Sequence, residues 1–260
     1  MYGYRRGVAI AITREVPASI AECELTHLPR VPIDLAEARA EHAALEAALV
    51  ELGCEVRRLP ERADLPDSVF VEDTAVVLPE LAVVARPGAP SRRGEVADVR
   101  DALRALRPLA EIQPPATLDG GDVLVLGREL VVGLSSRTDY AAVQQLGRMT
   151  EPFGYRVRAL PVRACLHLKS AVTRVAEDAL LVNPDWVDTT AFTGWRFIAC
   201  HPSEPFGANA LAIAGAVLYP QHFPRTADRL ATAGLEVRTV PAAELAKAEG
   251  GLTCCVLLVA

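Results

Sequence analysis

Aromatic side chains are scarce, 5% of the 260 residues, so large rings cannot fill the interior and Ala, Val and Leu must do so. Basic character is lacking too. Lys and Arg total 27 against 33 Asp and Glu, the formal net charge is −6, and no run of cations forms a stripe. This excludes nucleic acid as the main partner, because such binding rests on clustered cations that neutralise phosphates. No apolar stretch approaches the roughly 18 residues of a membrane span. Arg5 and Arg6 precede only the short apolar run Gly7 to Ile12 before Arg14, too little for the core of a secretory signal. A cytoplasmic protein without a membrane partner is expected. The six cysteines show neither C-x-x-C nor paired zinc-finger spacing, and a disulfide scaffold does not suit a chain of this length without export signals. Most of them are expected to be reduced and buried. The closing stretch "GLTCCVLLVA" leaves a question open. On a strand, Cys254 and Cys255 would point to opposite faces, where a bridge between them would be strained.

What the chain does have is apolar residues, 51% of the total with a mean hydropathy of +0.21. The length fits one large domain or two modest ones, and no linker or low-complexity segment divides it. Instead there is self-similarity. Five segments begin with a small or polar head and continue into a short apolar strand, often followed by a turn and a second strand. They are "EDTAVVLPELAVVARP" from Glu72, "GDVLVLGRELVVGLSS" from Gly121, "KSAVTRVAEDALLVNP" from Lys169, "GANALAIAGAVLYP" from Gly207 and "GLTCCVLLVA" from Gly251. Their heads fall at Asp73, Asp122, Ser170, Asn209 and Thr253, spaced 49, 48, 39 and 44 residues apart. The last segment lacks a second strand, which "RRGVAIAITR" near the N-terminus would supply, closing a ring.

Helical patterns lie between the repeats. The clearest runs over 35–52, with Asp34 as N-cap, Gly53 past its end, and Leu45, Leu49 and Leu52 on one face. "CEVRRL" after it reads as a strand, and further helices are predicted over 95–106, 139–150 and 226–233. Each unit is then strands plus a helix, with helices outside and strands inside. Pattern alone leaves an ordinary α/β sandwich with look-alike strands as the alternative.

Chemistry-bearing residues gather at the heads. Asp67, Glu72 and Asp73 stand in "DSVFVED", Asp119 and Asp122 in "LDGGD", His167 in "LHLKS", and Cys254 in the last head. Repeats set around an axis would bring them to one concavity. Cysteine with histidine is the minimum for thiolate catalysis, and Asp119 is a candidate to orient the imidazole. Several carboxylates in one pocket predict a cationic ligand, for which a planar guanidinium is suited. Arg92 in "PSRR" and Arg137 in "SSRT" are candidates to hold a carboxylate at its other end. Taken singly, each residue also has a structural reading: a core histidine, a packed thiol, capping acids, solvated arginines, a turn at Asp-Gly-Gly.

The strings "LPDSVFVEDTAVV", "ARPGAPSRRGEV", "LDGGDVLVLGRELVVGLSSRT", "LHLKS" and "GLTCC" together resemble the dimethylarginine dimethylaminohydrolase family. This family belongs to the guanidino-group-modifying superfamily. The resemblance spans nearly the whole chain in order. It implies a five-bladed α/β propeller (the pentein fold), with pseudo-fivefold repeats around a central channel and one catalytic domain over 1–260. It implies hydrolysis of mono- and asymmetric dimethylarginine to citrulline and methylamine or dimethylamine, without cofactor or metal, by a monomer or homodimer. In that picture Cys254 is the nucleophile, His167 the proton donor and then base, and Asp119 its orienter. Asp73, with Glu72 near it, holds the guanidinium, and Asp67 meets the α-amino group. Arg92 and Arg137 bind the α-carboxylate, and the carbonyls of Leu25 and Ala248 help hold the ammonium, with the segment around Leu25 as a lid. Two positions depart from part of the family: Asp119, where some members carry Glu, and Ala248, where a bulkier branched residue is common. A deiminase or amidinotransferase acting on another guanidine is the alternative within the superfamily. A non-catalytic binding pentein is the alternative outside enzymes, and the presence of both His167 and Cys254 speaks against it.

Overall fold

The computed structural model describes residues 8–259. Its strands form five three-stranded sheets of one design. β1 (Ile10–Arg14) leads through α1 (Leu35–Glu51) to β2 (Glu55–Leu59). The next sheet contains β3 (Ala75–Val77), β4 (Ala82–Val84) and, after α2 (Val96–Arg104), β5 (Leu109–Glu111). The third contains β6 (Val123–Leu126), β7 (Glu129–Leu134) and, after α3 (Tyr140–Thr150), β8 (Arg156–Pro161). A single turn, α4 (Leu168–Ala171), introduces β9 (Val172–Arg174), β10 (Ala179–Val182) and β11 (Arg196–Ala199). Then come β12 (Leu211–Ile213), β13 (Ala216–Pro220), α5 (Pro224–Thr232) and β14 (Glu236–Val240). Finally α6 (Ala243–Ala246) precedes β15 (Leu257–Val259). In every sheet the first two strands pair antiparallel and the third returns parallel to the second.

The fifth sheet is shared by the two ends of the chain. β15 pairs antiparallel with β1, Ile10 opposite Val259, and β1 pairs parallel with β2. The predicted closure is therefore present, although Arg5, Arg6 and Gly7 of the quoted N-terminal string lie outside the described residues. This is the expected five-bladed α/β propeller, with blades 1 to 4 led by β3, β6, β9 and β12 and blade 5 assembled from β15, β1 and β2.

The middle strands explain the apolar composition. Successive residues on a strand face opposite sides, and in these strands both sides are buried. Ala11 packs between blades 5 and 4, and its neighbour Ile12 between blades 5 and 1. Leu130 and Val132 pack toward blade 1, and Val131 between them toward blade 3. Each inter-blade seam is thus a separate cluster of Val, Leu, Ile and Ala. Strands buried on both faces read as near-continuous apolar runs, which is how the repeats show in the sequence.

α1 begins and ends where expected. The Asp34 side chain accepts from the backbone N–H groups of Ala36 and Glu37, and Gly53 takes φ +87° beyond the last turn. Ala38, Glu41, His42, Leu45, Glu46 and Leu49 form its buried face at helical spacing. Blade 3 departs from the expectation of a helix in every unit. Its connection "NPDWVDTTAFTGW" carries Pro184, two adjacent threonines and Gly194, and it forms only a 3-10 turn at Thr189–Ala191, capped by Asp188. Phe192 packs against that blade in place of a helix, with Trp186 and Trp195 beside it. Among the described residues no helix is long and apolar enough to cross a membrane.

A cavity at the blade 1–2 seam should therefore be costly. Leu130→Ala is expected to lower stability by about 2–5 kcal/mol, read as a shift in urea midpoint at unchanged slope; a loss under about 1 kcal/mol would contradict this account of the seam.

Candidate active site

Four of the five blade heads are not strand starts but single helical turns, and the fourth blade's head at Asn209 is irregular. Val71–Thr74, Gly120–Asp122 and Thr253–Cys255 are 3-10 turns, and Leu168–Ala171 is one α-turn. A hydrogen-bonded circuit joins them. The Gly121 N–H donates to Asp73 Oδ1 (3.0 Å) and the Leu168 N–H to Asp122 Oδ1 (2.9 Å). Asn209 Nδ2 donates to the Lys169 carbonyl (3.1 Å) and to Thr253 Oγ1 (2.9 Å), whose hydroxyl donates to Glu72 Oε2 (2.7 Å). The circuit therefore runs through all five blades and back to the first.

Inside it lies a cavity lined by Asp67, Asp73, Arg92, Arg137, His167, Ala248 and Cys254, with Glu24, Phe70, Leu166, Glu249 and Gly250. Residues spread over some 230 positions of sequence are thus gathered at one place. His167 is buried, with Nε2 3.0 Å from Asp119 Oδ2 and Nδ1 3.7 Å from Asp73 Oδ1. Asp119 reaches the ring directly despite being the shorter acid, and its other oxygen accepts the Gly88 N–H (2.9 Å). Gly121 makes the approach possible: a Cβ there would stand 2.6 Å from Asp73 Oδ1 and 2.8 Å from His167 Nδ1. Burial disfavours the imidazolium, but Asp73, Asp119 and Asp122 outweigh it and hold His167 at about 9. Burial likewise opposes the Asp73 carboxylate, and His167 and Arg92 prevail, bringing it to about 2. Asp122, which accepts from Ser135 Oγ and the Leu168 N–H, is pushed up by burial to about 6.

Cys254 is half-buried, and the other five cysteines are buried thiols; all six are free. The Gly251 N–H donates to Cys254 Sγ (3.3 Å), while Cys255 packs into the seam between blades 4 and 5. The two have the opposite surroundings expected of them, through a 3-10 turn and not a strand. Burial, then Glu72 and Asp73, push the Cys254 thiol up to about 12.

Three expected binding residues sit differently from a simple lining. Arg92 is buried and its guanidinium is engaged by the protein: Nη1 donates to Asp73 (2.6 Å), Nε and Nη2 to Glu95 (3.1 and 2.8 Å), and Nη2 also to the Phe70 carbonyl (3.2 Å). Glu72 does not line the cavity, and both its oxygens are spent on Lys169 and Thr253. Leu25 is half-buried on a strap crossing the site, and its neighbour Glu24 supplies the lining. Arg137, by contrast, lines the cavity with a buried Nη1 that has no hydrogen-bond partner.

The strap is fastened at both ends of the cavity. Glu249 Oε1 accepts the N–H groups of Thr26, His27 and Leu28 (3.0, 2.5 and 2.6 Å), and the Asp67 carboxylate accepts that of Glu24. So fastened, the cavity measures only about 10 Å³, room for roughly one water. A larger apolar cavity of about 360 Å³ adjoins it across Leu166, Glu249 and Gly250. Glu24, Glu249, Glu95 and Lys169 are the contributors that sequence reasoning missed, and only the "LHLKS" string carried a signal for one of them.

Chemically, the four carboxylates of the lining, with Asp119 behind His167, outnumber two guanidiniums and one imidazolium, so the cavity favours a cation. Among the described residues Asp73, Asp119 and His167 are spaced as metal ligands would be. The imidazole Nε2 is engaged by Asp119 at 3.0 Å, and Nδ1 faces Asp73 at 3.7 Å.

Comparison with known proteins supports a common architecture. The family described as arginine deiminase matches residues 107–204. The chain is 39% identical over 246 residues, 94% of both chains, to an N(G),N(G)-dimethylarginine dimethylaminohydrolase of Streptomyces coelicolor. It is 30% identical over 223 residues to that of Pseudomonas aeruginosa, covering 85% of this chain and 88% of the other. The Pseudomonas aeruginosa protein, solved as a cysteine-to-serine mutant complexed with citrulline, superposes with a TM-score of 0.90 at 29% identity, covering 95% of this chain and 98% of that one. The N-terminal domain of a cyanobacterial arginine dihydrolase shares the fold, at a TM-score of 0.86 and 19% identity.

The charge on His167 is measurable. Its imidazole should titrate near 9 by NMR, and since this lies above the ordinary 6.5, its stabilising contribution is whole below about 6.5 and is lost as pH rises through 9. The urea-midpoint gap between wild type and His167→Gln should narrow across that window; a titration at or below 6.5, or a widening gap, would contradict the electrostatic description.

Proposed function

The chain belongs to the dimethylarginine dimethylaminohydrolase family of pentein-fold, guanidino-group-modifying hydrolases, and from that membership we propose that it hydrolyses Nω-methylated L-arginines to L-citrulline and methylamine or dimethylamine. We read it as a single catalytic domain working in the cytoplasm. The observation that carries the reading is the meeting of a half-buried thiol and a charged imidazole in a cation-favouring cavity.

Asp73 receives the substrate guanidinium, with Glu72 behind it, and Asp67 meets the α-amino group, assisted by the carbonyls of Leu25 and Ala248. Arg137, whose Nη1 lacks a partner, takes the α-carboxylate, with Arg92 adding positive field beside it. The resting thiol is neutral because burial, and then the Glu72 and Asp73 carboxylates, disfavour its charged form. A guanidinium docked against them brings positive charge to the sulfur, and the thiol proton passes to solvent as the cation binds. The Cys254 thiolate then attacks the guanidinium carbon. His167 gives its proton to the substituted nitrogen, the C–N bond breaks, and the alkylamine departs from a thiouronium on Cys254. Neutral His167 next takes a proton from water as the water oxygen attacks the same carbon. The C–S bond breaks with its electron pair returning to sulfur, a second proton passes to solvent, and citrulline is left. Asp119 fixes the ring and steadies its charged form throughout. The citrulline complex of the Pseudomonas aeruginosa relative supports this product.

The match of 107–204 to the arginine deiminase family favours a second reading, deimination of arginine itself. Product analysis separates the two: citrulline with dimethylamine from asymmetric dimethylarginine is expected, and ammonia from arginine alone would overturn the first reading. Cys254→Ser should lower kcat by about 10³-fold or more with the fold kept, and Cys255→Ser should stay within about threefold of wild type, since it only repacks a buried thiol. Turnover by Cys254→Ser at the wild-type rate would sink the nucleophile assignment.

A further inference from the structure

We propose that Lys169 is a positioning residue for the nucleophile: through Glu72 and Thr253 its ammonium fixes the turn that carries Cys254 and provides the counter-charge for that thiolate. The inference rests on reading Cys254 as the nucleophile of a guanidine hydrolase.

Lys169 lies two residues beyond His167, on the turn that opens blade 3, with its side chain 15% exposed. Its Nζ donates to Glu72 Oε1 at 2.5 Å, and the other Glu72 oxygen accepts from Thr253 Oγ1 at 2.7 Å. Thr253 is the residue before Cys254. Asn209 closes the loop: Nδ2 donates to the Lys169 carbonyl and to Thr253 Oγ1, and Oδ1 accepts the Thr253 N–H at 3.1 Å. Glu72 of blade 1 and Asn209 of blade 4 thus grip the residue adjoining the reactive sulfur, and Lys169 of blade 3 bonds to both of them.

The same network shapes the turn itself. A Cβ on Gly251 would stand 2.4 Å from Asn209 Oδ1, so this turn seats directly on the asparagine. The Gly251 N–H is the donor to Cys254 Sγ. A shift of Asn209 or Thr253 therefore moves both the sulfur and its hydrogen-bond donor.

Charge gives the second half of the role. Glu72 and Asp73 face the thiol from blade 1, and Lys169 and His167 from blade 3. Arg92 and Arg137 line the remainder of the cavity, with Asp67 opposite and Glu24 and Glu249 on the strap side. Glu72 is buried, and burial raises its carboxyl while Lys169 opposes that rise. With the ammonium removed, the sulfur loses its nearby cation while Glu72, to the extent that it stays ionised, faces it uncompensated, and the thiolate becomes harder to form.

The test uses the full-length protein and four variants: Lys169→Met, Lys169→Arg, Thr253→Val and Thr253→Ser. Cys254 is half-buried where the other five cysteines are buried, so its alkylation by iodoacetamide can be followed against pH, with the modified peptide located by mass spectrometry and folding checked by circular dichroism. Lys169→Met should move the alkylation profile up by about one pH unit, which is about tenfold slower reaction below the midpoint. On asymmetric dimethylarginine its kcat should fall about 10- to 100-fold with KM within about threefold, and Lys169→Arg should recover most of the rate. Thr253→Val should lower kcat, and Thr253→Ser should recover it. An unmoved alkylation profile in folded Lys169→Met, or a raised KM at unchanged kcat, overturns the assignment. If Lys169→Met does not fold, equal profiles and rates for Thr253→Val and Thr253→Ser overturn it instead. A shifted profile in a protein that turns over no methylated arginine would uphold Lys169 and reject the hydrolase reading.

Discussion

The circuit of hydrogen bonds between blade heads is the constraint on which the site depends. Each link joins a backbone or side-chain group of one head to a carboxylate, carbonyl or hydroxyl of another, from Asp73 and Gly121 through Asp122 and Leu168 to Asn209, Thr253 and Glu72. The apolar seams between blades hold the ring together but do not choose which polar atoms meet at its axis. The heads make that choice, because a buried donor or acceptor left unmatched costs about 1–3 kcal/mol. Closing the ring through β15 and β1 puts the Thr253–Cys255 turn opposite the Val71–Thr74 turn, and that juxtaposition brings the thiol to the acids.

Within the ring, charges are buried in balance. His167 lies between Asp73 and Asp119, Arg92 between Asp73 and Glu95, and Lys169 against Glu72. Removing one member of such a buried pair typically costs about 3–5 kcal/mol, so these groups are committed to their partners in the resting protein. Asp73 is the shared member. It restrains Arg92, raises His167 and accepts the Gly121 N–H, and it is also the proposed seat of the substrate guanidinium. Binding a cation there redistributes the charges of existing pairs and does not fill an empty site.

Much of this was legible in the sequence, for identifiable reasons. The repeats showed because the middle strands are buried on both faces and so read as unbroken apolar runs. α1 showed through Asp34 and Gly53, whose cap roles are local. Cys254, His167, Asp119, Asp67 and Asp73 showed because they stand at repeat heads that a ring must bring together, and Arg137 because it follows a repeat strand in "SSRT". What did not show depends on pairing across the chain. Nothing near Arg92 marks it as engaged by Asp73, and nothing near Glu249 marks it as the clasp of a strap more than 220 residues earlier. Lys169 and Glu72 are 97 residues apart. The missing helix of blade 3 was locally visible, in Pro184, the threonine pair and Gly194, but the regularity of the other blades argued against reading it.

The ring is proposed to make Cys254 the nucleophile. Acid-quenched turnover of asymmetric dimethylarginine, followed by peptide mapping by mass spectrometry, tests it most directly. A thiouronium adduct, with the dimethylamine already lost, is expected on the peptide spanning the adjacent cysteines, abolished by Cys254→Ser but not by Cys255→Ser. Turnover without any adduct on that peptide, or an adduct that survives Cys254→Ser, would contradict it.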